Sequence, residues 1–156
     1  MLASVRIRKP FIFAVMREPV SWVESWYRFR SRDELAPPEH PQHHNYTGNM
    51  EFSEFVEAVL LPRAPSYARI NSQFHYISGN DGSVGIDKII PLDLVDEEVP
   101  KLLQRFNITV SNPKDRRNVS AKRDAGFLSP ALESKLLDHL HHDVRLYNDS
   151  FSDISK

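Results

Sequence analysis

FIFAVMREPVSWVESWYRFRSR, residues 11–32, is the stretch that decides how the rest of the chain is read. Phe11 to Met16 is an unbroken apolar run, the pattern of a strand buried on both faces near the centre of a parallel sheet. Arg17-Glu18-Pro19 then breaks it, and Pro19 suits a first helical turn because its missing N–H has no intrahelical partner there. Val20, Val23, Trp26, Tyr27 and Arg30 follow at three- and four-residue spacing, which predicts an amphipathic helix with Ser21, Ser25 and Arg28 on another face. The order strand, turn, helix sets a fixed cation, Arg17, beside a hydroxyl, Ser25, where an open α/β sheet tends to take its ligand. In outline this is an anion site.

Outward from this segment, residues 31–50 (SRDELAPPEHPQHHNYTGNM) are polar, contain three prolines and lack periodicity, as expected of a long functional or mobile loop such as a lid or an acceptor-binding loop. Phe52, Phe55, Val56, Val59 and Leu60 mark a short amphipathic helix closed by Pro62 and Pro65. A further helix is predicted from Ser66 to Ile77, with Tyr67, Ile70, Phe74 and Ile77 inward. Asn80-Asp81-Gly82-Ser83 is turn chemistry, and a second strand is expected around Ile86 to Leu92. Val95, Val99, Leu102, Leu103 and Phe106 form one helical stripe, with Glu97 and Glu98 in the early turns where the helix dipole favours acids. Residues 109–126 are basic and poor in apolar residues. Ser129-Pro130 reads as N-cap and first helical residue of a closing helix that carries Leu132, Leu136, Leu140, Val144 and Tyr147.

The 156 residues allow a single domain, 1–156, with a real core. Lysine and arginine number 20 against 21 aspartate and glutamate, so no general attraction to nucleic acid or to an acidic membrane is expected, and any anion binding must be local. The chain has no cysteine, which excludes disulfides, thiolate metal sites and a cysteine nucleophile and fits a reducing compartment. Arg6, Arg8 and Lys9 ahead of the apolar run imitate a signal peptide, but only six apolar residues separate Pro10 from Arg17, short of the ~7–15 of a signal core and the ~20 of a membrane span. A cytoplasmic protein is expected.

Two clusters of histidine stand out: His40, His43 and His44 in the long loop, and His139, His141 and His142 in the last helix. Neither has thiols or an HExxH pattern, so no metal is expected, although a loop histidine has a pKa suited to a general base. The catalytic residues are left unassigned. Trp22, Trp26 and Tyr27 could stack an adenine, but core packing is the expectation.

The segment FIFAVMREPVSWVESWYRFRSR resembles the nucleotide 3'-phosphate-binding element of the sulfotransferase superfamily, in particular bacterial members with a comparable REPVSW segment. The resemblance extends from about Phe11 to Asp149 in the order of elements: a Phe-rich helix (EFSEFVEAV), a helix with glutamine and aromatics (NSQFHYI), a strand, a helix beside it, an Asn-x-Ser loop and a Leu-rich terminal helix (SPALESKLLDHLHHDVRLYND). It implies an α/β, P-loop-like three-layer fold with a small parallel sheet and many helices. It also implies the cofactor 3'-phosphoadenosine 5'-phosphosulfate, or its product 3',5'-adenosine bisphosphate, and an acceptor hydroxyl or amine that the sequence does not identify.

By the same resemblance Arg17 and Ser25 bind the 3'-phosphate, with Ser21 as a rival for the hydroxyl role, and Asn118 and Ser120 match the Asn-x-Ser loop. Arg116 and Arg117, with Lys122 and Arg123, add local positive charge suited to a bisphosphate nucleotide. One family feature is not matched. Members begin with a strand and a Lys-Thr-Gly-Thr or similar loop around the 5'-phosphosulfate, and no glycine-rich loop ending in Lys-Ser or Lys-Thr occurs here. The expected domain is therefore N-terminally incomplete, without its first strand and phosphate loop. Catalysis is expected to be crippled, or the chain to serve as a noncatalytic nucleotide-binding or interaction module that self-associates through an exposed sheet edge.

Overall fold

The computed structural model describes residues 9–109 and 126–154. Its elements are β1 (Phe13–Met16), α1 (Pro19–Arg30), α2 (Phe52–Val59), α3 (Gln73–Ile77), β2 (Lys88–Pro91), α4 (Val95–Gln104), α5 (Pro130–His139) and α6 (His141–Ile154). The fold is mixed α/β, many helices around a small parallel sheet. β1 and β2 pair in parallel with Phe13 opposite Lys88 and Met16 opposite Pro91, a geometry that requires a crossover, here supplied by α1 to α3. No helix among the described residues is long and apolar enough to cross a membrane.

Local signals account for most helix starts. Glu18 caps α1, its carboxylate accepting the N–H groups of Val20 and Ser21, with Pro19 as first residue. Glu51 and Glu54 form a capping box at the start of α2, and Ser129 accepts the Leu132 N–H ahead of Pro130 in α5.

The core lies where α1, α2 and α5 meet: Val23, Tyr27, Phe52, Phe55, Val56, Val59, Leu136 and Leu140 are buried together. The apolar stripe read from residues 52–60 is the face that packs there. α6 lies against β2, α3, α1 and α5, and α4 packs on β2 through a buried Glu98 that accepts Lys88 at 2.8 Å and Lys101 at 2.9 Å.

Four expectations change. β1 is not a central strand buried on both faces: among the described residues it pairs with β2 alone, and Phe11, Ile12, Phe13 and Val15 are between 38% and 43% exposed. An apolar run records what a strand could bury, and burial follows from what packs on it. The helix expected over 66–77 divides into a 3-10 turn, Ser66–Ala68, and α3, because Arg69 is extended and Ser72 starts a new helix by accepting the His75 N–H. The closing helix breaks at Leu140, which leaves helical geometry between α5 and α6. Residues 31–50 are pinned to the body instead of standing free as a lid: Thr47 donates its N–H to Arg30, Ser66 its hydroxyl to the His44 carbonyl, and Tyr27 its hydroxyl to the Met50 carbonyl.

Candidate functional site

Arg17 and Glu18 are the two residues that link β1 to α1. The Glu18 carboxylate lies over the start of α1, accepting from Val20 at 3.0 Å and from Ser21 at 2.7 Å. The helix N-terminus is therefore satisfied by the chain's own anion, and an external phosphate has no free amides to use there. The Arg17 backbone is held from a distant segment: its N–H donates to Gln73 Oε1 at 2.8 Å, and Gln73 Nε2 donates to its carbonyl at 2.9 Å.

The Arg17 guanidinium is exposed and makes no hydrogen bond or ion pair with any described residue. Glu18 and Glu24, the carboxylates nearest to it in sequence, are both engaged elsewhere, Glu18 as the helix cap and Glu24 with Arg28 one turn along α1. The result is a cation on a fixed backbone with no partner supplied from the described residues. That arrangement can take an anion without first breaking an internal pair.

Ser25 is half-buried on α1, and its hydroxyl likewise has no partner among the described residues. It lies about 9 Å along the helix axis from Pro19 at 1.5 Å per residue. Ser21, one turn closer to Arg17, also has an unengaged hydroxyl while its N–H serves the Glu18 cap. The structure thus brings Arg17, Ser21 and Ser25 onto one strand-to-helix unit and leaves either serine available. Arg116, Arg117, Asn118 and Ser120, with Lys122 and Arg123, lie outside the described residues.

The aromatic residues of α1 are mostly packing. Tyr27 is buried between Phe52 and Phe55, and Trp26 sits edge-on between Trp22 and Phe29 with the Arg30 guanidinium 4.9 Å from its ring centre. Trp22 donates its indole N–H to the Asn71 carbonyl at 3.0 Å. Arg30, read as the last member of the inward stripe, is indeed buried, and its guanidinium donates to the carbonyls of Ser66, Tyr67 and Arg69. Burial lowers its pKa from the usual arginine range.

The histidines serve local structure. His43 Nδ1 bonds the Leu35 carbonyl, His40 accepts the Gln42 N–H, and His142 stacks on Phe74 with ring centres 4.6 Å apart. Among the described residues no three or more of histidine, cysteine, aspartate and glutamate are grouped to hold a metal ion.

Two residues at the site take their roles from the tertiary structure: Asp143, which the sequence does not mark, and Gln73, which it marks only as the glutamine of NSQFHYI. Asp143, at the start of α6, is fully buried and accepts the N–H of Gln73 and of Phe74, each at 2.8 Å. Burial raises its carboxyl pKa above the ordinary 3.8, while the two amides and the neighbouring His142 pull it back. Gln73 falls inside the helix expected over 66–77 and is instead the first residue of α3. The Ser72 hydroxyl, in N-cap position before it, was the local signal that could have marked it.

Comparison of the chain with protein-family models, with curated proteins and with solved structures returns no match.

Proposed function

We propose that this chain is a sulfotransferase-like domain that holds the 3'-phosphate of 3'-phosphoadenosine 5'-phosphosulfate, or of its product 3',5'-adenosine bisphosphate, at the turn between β1 and α1. The observation that carries the reading is the exposed Arg17 guanidinium, without a partner among the described residues, on a turn whose N–H and C=O are both tied by Gln73. A guanidinium fork can donate to two phosphate oxygens while a serine hydroxyl of α1, Ser25 or Ser21, donates to a third. The parallel β1–β2 pair with helices around it is compatible with the P-loop-like three-layer arrangement that the resemblance implies. Arg116, Arg117, Asn118 and Ser120 are assigned to the nucleotide on the resemblance alone, and the absence of cysteine suits a cytoplasmic setting.

In sulfuryl transfer the acceptor oxygen or nitrogen attacks sulfur in line, the bond from sulfur to the phosphate oxygen breaks, the bisphosphate leaves, and the acceptor proton passes to a base. The family's lysine for charge on the departing oxygen has no matching loop in this sequence. The chain by itself is accordingly proposed to bind the nucleotide without transferring the group.

Calorimetric titration with 3',5'-adenosine bisphosphate, with adenosine 5'-monophosphate as the control lacking the 3'-phosphate, tests the reading. Tight binding of the bisphosphate alone, weakened in Arg17→Ala, is expected. Equal affinity in wild type and Arg17→Ala sinks it.

The second reading is a noncatalytic interaction module, and the exposure of Phe13 and Val15 on the two-stranded sheet, and of Phe11 and Ile12 just before it, favours it. On this reading the chain self-associates through β1. Sedimentation velocity showing only monomer across the micromolar range would exclude that.

A further inference from the structure

The Arg17 backbone is held by a side chain 56 residues away in sequence. Gln73 engages both polar groups of one residue: Oε1 accepts the Arg17 N–H at 2.8 Å and Nε2 donates to the Arg17 C=O at 2.9 Å. Only one of the two orientations of a side-chain amide satisfies both bonds, so the network itself assigns it. The amide acts as a one-residue neighbouring strand at the point where β1 gives way to the turn.

A clamp is only as firm as its mounting, and α3 has five residues, too few for a helix to be stable alone. Its start is fixed from two sides. Asp143 accepts the N–H groups of Gln73 and Phe74 through its two carboxylate oxygens, and Ser72 Oγ accepts the His75 N–H at 3.2 Å. Asp143 is fully buried in α6, which packs on β2, the partner strand of β1. The path from β1 through β2, α6, Asp143, α3 and Gln73 returns to Arg17 and closes a loop of contacts.

The geometry points to Gln73 as the positioning residue for Arg17, with Asp143 as the positioning residue for Gln73, so that neither touches the ligand and both set how well the guanidinium meets a phosphate. The inference rests on the proposed nucleotide site. An arginine side chain has many rotamers, and an anion gains most from it when its Cα and Cα–Cβ direction are already set.

The test is a double-mutant cycle read by calorimetry with 3',5'-adenosine bisphosphate: wild type, Gln73→Met, Arg17→Ala and the double variant, together with amide hydrogen exchange at Arg17. Methionine keeps the length and apolar stem of glutamine and removes both bonds. Gln73→Met is expected to weaken binding about tenfold when Arg17 is present, to change it less than twofold when Arg17 is alanine, and to speed exchange of the Arg17 amide while the Tyr27 amide of α1 keeps its rate. Equal losses in both backgrounds overturn the positioning role, because a general loosening or a direct contact does not depend on Arg17. Binding weakened by Arg17→Ala and untouched by Gln73→Met overturns the positioning role alone. Arg17→Ala binding as well as wild type overturns the nucleotide site, and the inference with it. Gln73→Leu, which also removes both bonds and adds no charge, carries the same comparison if Gln73→Met folds poorly.

Discussion

Asp143 accepts the backbone N–H of Gln73 at 2.8 Å across 70 residues of sequence, and through that bond the terminal helix fixes the start of α3. A buried carboxylate with both oxygens on backbone amides is a structural joint: its desolvation is offset in part by the bonds, and its removal leaves two donors unmet.

Asp143→Ala is therefore expected to lower the unfolding free energy by about 3 kcal/mol, the order for two buried amides left unpaired. Urea denaturation followed by circular dichroism measures it. The pH dependence has a definite sign. With its folded pKa raised by burial, Asp143 in the folded chain keeps a proton that the unfolded chain has released, so its contribution falls as pH rises from the ordinary value of 3.8 through the raised one. Glu98 acts in the opposite sense. Hydrogen bonds from Lys88 and then Lys101 lower its pKa, so its contribution is present above its ordinary value of 4.5 and is lost as pH falls through the depressed one. Glu98→Gln should flatten the acid limb, and an unchanged limb would contradict the pairing.

Arg30→Lys is expected to destabilise nearly as much as Arg30→Ala, by about 2–3 kcal/mol. The guanidinium donates to three carbonyls, those of Ser66, Tyr67 and Arg69, while lying over Trp26, and a point-charge ammonium cannot reproduce the flat fork. Recovery of wild-type stability by lysine would show that charge, not geometry, is what the loop requires.

At the proposed phosphate turn, Arg17→Lys should retain attraction but lose the two-pronged donation, weakening 3',5'-adenosine bisphosphate about tenfold, with Arg17→Ala weaker still. Ser25→Ala and Ser21→Ala decide which hydroxyl contributes: the one in contact should cost several-fold and the other nothing measurable. Thermal midpoints of all four variants should stay near wild type, since Arg17 and both hydroxyls hold no described side chain.

Val15 is 43% exposed on β1. If the sheet edge mediates self-association, Val15→Lys should shift the sedimentation profile to monomer at equal concentration without lowering stability by more than about 0.5 kcal/mol. Association that persists in Val15→Lys would move the interface elsewhere.

The features legible in the sequence are those whose causes lie within one or two helical turns. Glu18-Pro19 and Ser129-Pro130 start helices by their own side chains, and Phe52, Phe55, Val56 and Val59 fall on one face because of the 3.6-residue period alone. The break between Ala68 and Gln73 was less legible: the apolar spacing of Tyr67, Ile70, Phe74 and Ile77 runs on through residues that are not helical, and Arg30 holds the carbonyls there from another element.

By itself the amino-acid sequence determined the parallel α/β character, the amphipathic face of α2 and the placing of Arg17, Ser21 and Ser25 on one strand-to-helix unit, since periodicity and caps act over neighbouring residues. Only the tertiary structure decided that the Gln73 side chain holds the Arg17 backbone and that Asp143 holds the start of α3. These depend on which distant side chains meet across 56 and 70 residues, and one polar residue among many carries no local mark of the partner that folding brings to it.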